Sequence, residues 1–386
     1  MAALRSATGR AVLAGIGRYD PAAAITTANR LRAAGHPAGL VALALTQARL
    51  RQRAAAKFGL GADRMLFTPA GMEQATRAGV AWHRATRFTG RRRVADLCCG
   101  IGGDLLALAQ GADIEGVDGF ESDPVTAAVA TANVEEFGLT ARARVSCTDV
   151  TTVDLDSFDA IFLDPSRRSG GRRVFNPDAY RPPWSFVEAV LRRDACVKVA
   201  PGIPHDRIPA GVEAEWVSDG GAVKEAALWS GALRTTSRRA TLLPAGATLV
   251  GNAVGAPPVR PPQRWLYEPD GAVIRAHLVV EVAALIDGAL LDPQIAYLTA
   301  PAEVPTPFAT AYEVTDVLPF SLKGLRRLLR ERDVGIVTVK KRGSPVEPET
   351  LRRQLRLSGS SHVVIVVTRI ADAPTVLLCR PPQLKV

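Results

Sequence analysis

Cysteine is scarce in this chain, and what there is does not suit a metal. The 386 residues carry five, at Cys98, Cys99, Cys147, Cys196 and Cys379, and no two form a C-x-x-C pair. That spacing excludes a zinc ribbon and a dense disulfide framework, and it fits reduced thiols in a cytoplasmic protein. No metal site is expected. Long apolar runs are missing too. None approaches the ~18–20 residues that a bilayer-spanning helix needs, so no membrane association is expected. The stretch from Met1 to Asp20 is interrupted by Arg5, Arg10 and Arg18 and lacks an apolar core before a cleavage site, so it does not read as a secretory signal. Internal repeats are absent.

Acid is sparse at both ends of the chain. Residues 1–93 hold 16 Lys and Arg against three Asp and Glu, and residues 321–386 hold 14 against five. The intervening 94–320 reverses the balance, with 18 basic residues against 30 acidic ones. Basic flanks around an acidic centre suit a catalytic domain between surfaces that attract polyanions. The plain alternative is an arginine-rich chain with solvated helix faces. At this length two or three domains of about 150 residues each are expected.

Residues 1–90 read as a helical region, with apolar positions at three- and four-residue spacing in Leu40–Leu50 and Met72–Ala81. From residue 94 strand and helix patterns alternate, the signature of a parallel sheet with crossover helices. Strands are expected at Val94–Leu97, Ile114–Phe120, Arg142–Cys147, Ala160–Leu163 and Cys196–Ala200, and the last ones from Glu213–Ser218, Ala226–Gly231 and Arg239–Leu243. Pro124 suits the first turn of a helix capped by Asp123 and ending at Gly138. Gly and Pro cluster over 251–264, which reads as a linker. Beyond it, helices near Ala272–Ile286, Leu322–Glu331 and Glu349–Leu357 and strands Val334–Lys340, Val363–Thr368 and Thr375–Cys379 make a smaller α/β unit.

The chemistry gathers after the first strand, in Asp96-Leu97-Cys98-Cys99-Gly100-Ile101-Gly102-Gly103-Asp104. Glycines permit a tight turn and close ligand approach, and the helix that follows offers unpaired N–H groups. Leu105 stands where a dinucleotide fingerprint needs its third glycine. Asp96, at the strand end, would repel a phosphate and attract an ammonium. The stretch resembles motif I of the class I S-adenosylmethionine (SAM) methyltransferases, matched at Asp96, Gly100, Gly102 and Gly103.

Three further strand-end elements extend the resemblance. An acid after the second strand would take the ribose hydroxyls. Asp118 fits by its distance from the glycines. Glu121 is preferred, because Glu121-Ser122-Asp123-Pro124 is similar to the family's acid-x-Asp-Pro element. Asp149 stands where the family's acid accepts a hydrogen bond from the adenine amino group. Asp164-Pro165-Ser166-Arg167-Arg168 resembles motif IV of enzymes that methylate nucleobase nitrogens, in which a side-chain oxygen orients the acceptor amino group. Ser166 replaces the motif's second proline and Arg167 its aromatic, which unsettles an adenine-N6 assignment. Arg167 and Arg168 suit a bidentate grip on phosphate or carboxylate, or an ion pair in the acidic domain. Tyr180 or Trp184 would stack on a base or pack in the core. C5 methylation of a pyrimidine needs a nucleophilic cysteine, and none occurs between Cys147 and Cys196.

Arg264–Asp270, Ile295–Leu298, Val339–Gly343 and Leu351–Leu357 resemble the THUMP-like domain of a group of bacterial methyltransferases, and true THUMP domains bind RNA. Lys340, Lys341 and Arg342 at a strand end, with Arg352, Arg353 and Arg356 on a helix, would track phosphates. The resemblance implies a Rossmann-like seven-stranded methyltransferase domain over 91–250, after the helical region 1–90. The linker 251–264 and a THUMP-like domain over 265–386 would follow. Asp164, Pro165 and Arg167 would be catalytic, SAM the cofactor and a nucleobase nitrogen in RNA the acceptor. A small-molecule or protein methyltransferase, or a non-catalytic RNA-binding protein with a relict fold, remain open. Oligomeric state is not readable.

Overall fold

The computed structural model describes residues 2–166, 168–169, 172–173, 177–251 and 255–382. The chain divides into two compact units, Met1–Ala214 with Glu225–Thr235, and Glu215–Lys224 with Thr236–Val386.

The first unit begins with helices α1 (Ala2–Arg5), α2 (Ala7–Ile16), α3 (Ala24–Ala33), α4 (Ala38–Phe58), α5 (Pro69–Gln74) and α6 (Ala78–Thr86). Val41, Ala44 and Ala48 recur along one stripe of α4 and pack with Leu4, Val12 and Leu31, as an amphipathic helix requires. The polar Gln47 on that helix is buried for another reason. Its amide brackets Phe67, donating to the carbonyl at 2.7 Å and accepting from the N–H at 3.0 Å.

A sheet follows, built in this unit from β1 (Arg93–Leu97), β2 (Gly116–Glu121), β3 (Ala143–Cys147), β4 (Ala160–Leu163) and β5 (Ala195–Val199); β6 (Glu213–Asp219) falls mostly in the second unit, and β7 (Ala222–Ser230) belongs to the first from Glu225 on. Within this unit the order is β3-β2-β1-β4-β5-β7. The first five are parallel, and β7 runs antiparallel to β5. Strands flanked on both faces must be apolar throughout; Val94, Ala95, Leu97, Phe162 and Val197 are all fully buried. Each such Val, Leu or Phe contributes roughly 1.5–3 kcal/mol by leaving water. The connecting helices are α7 (Gly103–Gln110), α8 (Pro124–Glu136) and α9 (Trp184–Val190). Asp123 caps α8, accepting from the Thr126 N–H at 2.8 Å, and Pro124 opens it.

Asn133, on the buried face of α8, ties three parts of this unit together. Its amide accepts from the Leu66 N–H at 2.7 Å and donates to the carbonyls of Leu66 at 3.0 Å and Ile101 at 2.9 Å. One side chain therefore fixes the glycine loop after β1 and the segment entering α5.

The second unit contains the hairpin β8 (Arg238–Leu243) and β9 (Ala247–Val250). A seven-stranded sheet follows: β10 (Trp265–Pro269), β11 (Ala289–Asp292), β12 (Ile295–Ala300), β13 (Ala309–Pro319), β14 (Val334–Lys341), β15 (Ser361–Ile370) and β16 (Ala373–Cys379). Its order is β11-β12-β10-β13-β16-β15-β14, with only β14 and β15 parallel to each other. Four of these seven strands, β10 to β13, lie where sequence periodicity gave no strand. The helix expected near Ala272–Ile286 is two, α10 (Gly271–Arg275) and α11 (Val279–Leu285), because His277 takes a left-handed φ of 59°. Helices α12 (Leu322–Glu331) and α13 (Pro348–Leu355) bury Leu325, Leu329, Leu351 and Leu355 against this sheet. Arg356 falls just beyond α13 in a left-handed conformation (φ 48°) that ends the helix, so it is not a helical residue as expected.

Asn133→Leu should lower unfolding stability by about 3 kcal/mol, since it strands three buried backbone groups. Urea denaturation followed by circular dichroism measures it; a loss under about 1 kcal/mol would contradict the role assigned to the amide.

Candidate active site

The carboxyl ends of the parallel strands border a cavity of about 930 Å³ in the first unit, where open α/β sheets hold their ligands. The loop leaving β1 makes its floor. Gly100 and Gly102 adopt φ of 57° and 86°, and Cys98 is held at 64°, a left-handed conformation uncommon outside glycine. A Cβ on Gly102 would also sit 3.6 Å from the Ala130 Cβ of α8. The loop is pinned from below by the Cys99 N–H on the Phe120 carbonyl (3.0 Å) and from the side by the Gly100 N–H on Glu121 Oε2 (3.1 Å).

Asp96 lines this cavity yet is wholly buried, and neither carboxylate oxygen has a hydrogen-bond partner. Burial, then the neighbouring charges of Asp104 and Asp164, push its pKa well above the usual carboxylate range; Arg84 and Lys198 pull the other way. Arg84 comes from α6 and is almost fully buried between Asp104 and Glu225, with its guanidinium 4.5 Å from the Phe162 ring centre. Burial opposes its charge, but the two carboxylates outweigh that and raise its pKa above the ordinary value. One turn on, Arg87 makes a bidentate pair with Glu213, both contacts 2.8 Å, and lies 4.0 Å over the Trp229 ring.

The other strand-end acids are distributed unequally. Glu121 lines the cavity, and its second oxygen accepts from the Asp123 N–H at 2.9 Å. Asp118 is not among the lining residues and pairs with Arg93 at 2.7 Å. Asp149 lines the cavity and opens a short 3-10 turn. Hydrogen bonds from the Thr151 N–H (2.9 Å) and hydroxyl (2.8 Å) lower its pKa. Asp164 and Pro165 also line it. The Asp164 N–H donates to the Leu97 carbonyl at 3.1 Å, and its Oδ2 accepts from Lys198 at 2.6 Å.

Arg167 lies outside the described residues, and of Arg168 only the backbone is described, in a two-residue strand paired with 172–173. Tyr180 lines the cavity, buried, with its hydroxyl accepting from the Ala200 N–H at 3.2 Å. Trp184 stacks edge-on against it, 6.0 Å between ring centres, behind the wall. In the second unit Lys340 pairs with Glu268 at 2.5 Å, Arg342 approaches the same carboxylate at 4.0 Å, and Lys341 pairs with Glu347. Arg352 pairs with Glu349 at 3.2 Å, and Arg353 donates to the Thr350 hydroxyl at 3.4 Å.

Sequence reasoning missed Arg84, Lys198, Thr76 and Asn133. Lys198 interrupts the fully apolar run Val197 to Ala200. A lone charge in a central strand was the available signal. Arg84, Thr76 and Asn133 carried none, since their importance comes from partners far away in sequence.

Residues 309–381 match the family described as THUMP domain-like, and residues 1–54 match a domain of unknown function. Two proteins from strains CDC 1551 and H37Rv of Mycobacterium tuberculosis are each named an uncharacterized S-adenosylmethionine-dependent methyltransferase. Each is 38% identical to this chain over 350 residues, covering 86% of it and 95% of the relative. A crystal structure of a candidate methyltransferase from Porphyromonas gingivalis W83 superposes with a TM-score of 0.75 at 21% identity, over 90% of this chain and 92% of the other. The fold is thus that of a methyltransferase with N-terminal helices and a C-terminal THUMP-like domain. The chain belongs to the S-adenosylmethionine-dependent methyltransferases, and SAM is its cofactor. The residues present fit that group. A buried carboxylate without partners suits an ammonium, and a glycine loop with open space above Gly100 admits close approach. Among the described residues no helix is long and apolar enough to cross a membrane, and no cluster of His, Cys, Asp and Glu is placed to hold a metal ion.

The wall formed by residues 73–76 is held by Lys57 of α4, whose ammonium donates to the carbonyls of Met72 (2.9 Å), Glu73 (2.6 Å) and Ala75 (3.0 Å). Burial, then the positive charges of Lys198 and Arg77, lowers the Lys57 pKa from 10.5 to about 8. Between those values the unfolded chain binds more protons than the folded one, so this group's contribution to stability rises with pH there. Wild type should therefore gain stability relative to Lys57→Met as pH climbs from about 8 toward 10.5. Urea titrations at a series of pH values read it, and a pH-independent difference would refute the shift.

Proposed function

We propose that the enzyme transfers a methyl group to a nucleobase nitrogen in RNA. Asp164 is the observation that carries this reading. It stands at the end of β4 in the cavity, fixed through its backbone and one oxygen, and among the described residues no hydrogen bond engages Oδ1. A fixed carboxylate accepts a hydrogen bond from an amino group and turns the nitrogen lone pair toward the methyl. Bound SAM supplies that methyl already activated on a sulfonium, so orientation and desolvation can provide most of the acceleration. Asp96 with the loop at Gly100, Gly102 and Gly103 would hold the methionine end. Glu121 would take the ribose hydroxyls, favoured over Asp118 because it lines the cavity, and Asp149 would take the adenine amino group. Pro165, which also lines the cavity, would restrict the backbone beside Asp164.

The THUMP-like match at residues 309–381 and the basic flanks support RNA as the acceptor. The ion pairs at Lys340, Lys341, Arg342 and Arg352 leave those groups half-exposed, and phosphates would compete with their carboxylates for them. Arg167, outside the described residues, belongs to this proposal as a catalytic residue, and Arg168 as an RNA contact. One observation favours a second reading, methylation of a small molecule or protein. Among the described residues seven carboxylates line the cavity against two cations, Arg181 and Lys198, which suits an acceptor without phosphate near the reacting atom.

Tritium-labelled SAM incubated with total RNA from a strain lacking the gene separates the two. Label should appear in nuclease-released nucleosides and fall at least ~100-fold with Asp164→Ala, the scale of losing an orienting group. Label confined to nuclease-resistant material in a whole extract would overturn the RNA reading.

A further inference from the structure

Lys198 is the least expected residue in the cavity wall. It stands in β5 between Val197 and Val199, both fully buried, with its own side chain only 6% exposed. An ammonium removed from water costs several kcal/mol unless its partners are well placed, and an apolar side chain of similar volume commonly serves stability as well or better. Packing alone therefore gives no reason for a lysine here. Its partners do. Nζ donates to Asp164 Oδ2 at 2.6 Å and to Thr76 Oγ1 at 2.8 Å. Both residues line the cavity, and they come from different elements, one from the end of β4 and one from the segment joining α5 to α6.

The consequence is geometric. The Asp164 backbone is fixed by its N–H on the Leu97 carbonyl at 3.1 Å, and Lys198 fixes one carboxylate oxygen. Two fixed points set the plane of the carboxylate and direct the remaining oxygen. Thr76 in turn stands next to Ala75, whose carbonyl Lys57 holds at 3.0 Å, so the ammonium itself is anchored to a rigid wall. We propose that Lys198 is the positioning residue of methyl transfer, acting through Asp164 to orient the acceptor, with Thr76 as its anchor. The proposal rests on the reading of Asp164 as the acceptor-orienting group, but not on the acceptor being RNA.

The test uses the full-length protein, tritium-labelled SAM and a whole-cell extract of a strain lacking the gene, so that any acceptor class is present. Wild type, Lys198→Met, Asp164→Ala, the double variant and Thr76→Val are compared, with calorimetric affinity for S-adenosylhomocysteine measured for each. Lys198→Met should cut the turnover rate by roughly 100-fold, and Thr76→Val by roughly fivefold, because groups acting as a unit lose activity together. The double variant should be no slower than Asp164→Ala alone, and product affinity should stay within about threefold of wild type throughout, which a general structural defect would not allow. Thr76→Val carries the test if Lys198→Met does not fold. Turnover by Lys198→Met at the wild-type rate, or multiplied losses in the double variant, would overturn the proposal. Wild-type turnover by Asp164→Ala would overturn it together with the reading of Asp164. Nuclease sensitivity of the label judges the RNA acceptor separately.

Discussion

Charge buried at one end of a parallel sheet is the constraint that organises the catalytic unit. Among the described residues Asp96, Asp104, Asp164 and Glu225 are countered by Arg84 and Lys198. Uncompensated charge of that kind is expensive in a low-dielectric interior. The cluster as it stands is short of positive charge, and the deficit falls on Asp96, whose oxygens have no partner. A ligand bearing an ammonium and a sulfonium is the chemical complement of such a deficit. On the proposed placement of SAM at Asp96, the cost built into the free protein would become affinity for the cofactor.

The same constraint explains why the helices before the sheet are more than an appendage. Arg84 reaches the cluster from α6, and Arg87 fastens the end of that helix to Glu213. Lys57 of α4 holds the carbonyls at the end of α5, and Thr76 follows directly. Asn133 of α8 joins Leu66 to Ile101 in the glycine loop. Sequence, packing and site are thus linked by a few polar side chains: Lys57 and Asn133 saturate backbone groups that burial would otherwise leave unpaired, and Arg84 and Arg87 pair buried carboxylates. A change in any of them reaches the cavity through one contact.

How much was legible in sequence follows from how local each signal is. The strand, glycine turn and helix around Asp96 could be read directly, because turn chemistry and capping depend on adjacent residues. The alternation of strand and helix gave the parallel sheet for the same reason. Arg84, Thr76 and Asn133 could not be read, because a buried polar side chain is identified by partners that sit 20 to 141 residues away in the chain. Strands β10 to β13 were also missed. They pair antiparallel, and β13 alternates between intermediate and exposed positions over much of its length, so its apolar period is faint. The basic residues expected to track phosphate were found by composition, which cannot show that Glu268, Glu347 and Glu349 already stand beside them.

The most direct measurement is calorimetric titration of the folded protein with S-adenosylhomocysteine, in wild type and Asp96→Asn. Wild type should bind, and loss of the carboxylate should weaken binding by roughly 10- to 100-fold, as expected for a charge-assisted hydrogen bond of about 1.5–3 kcal/mol. Equal affinity in the two proteins, or no heat from wild type, would contradict the account of the buried charge.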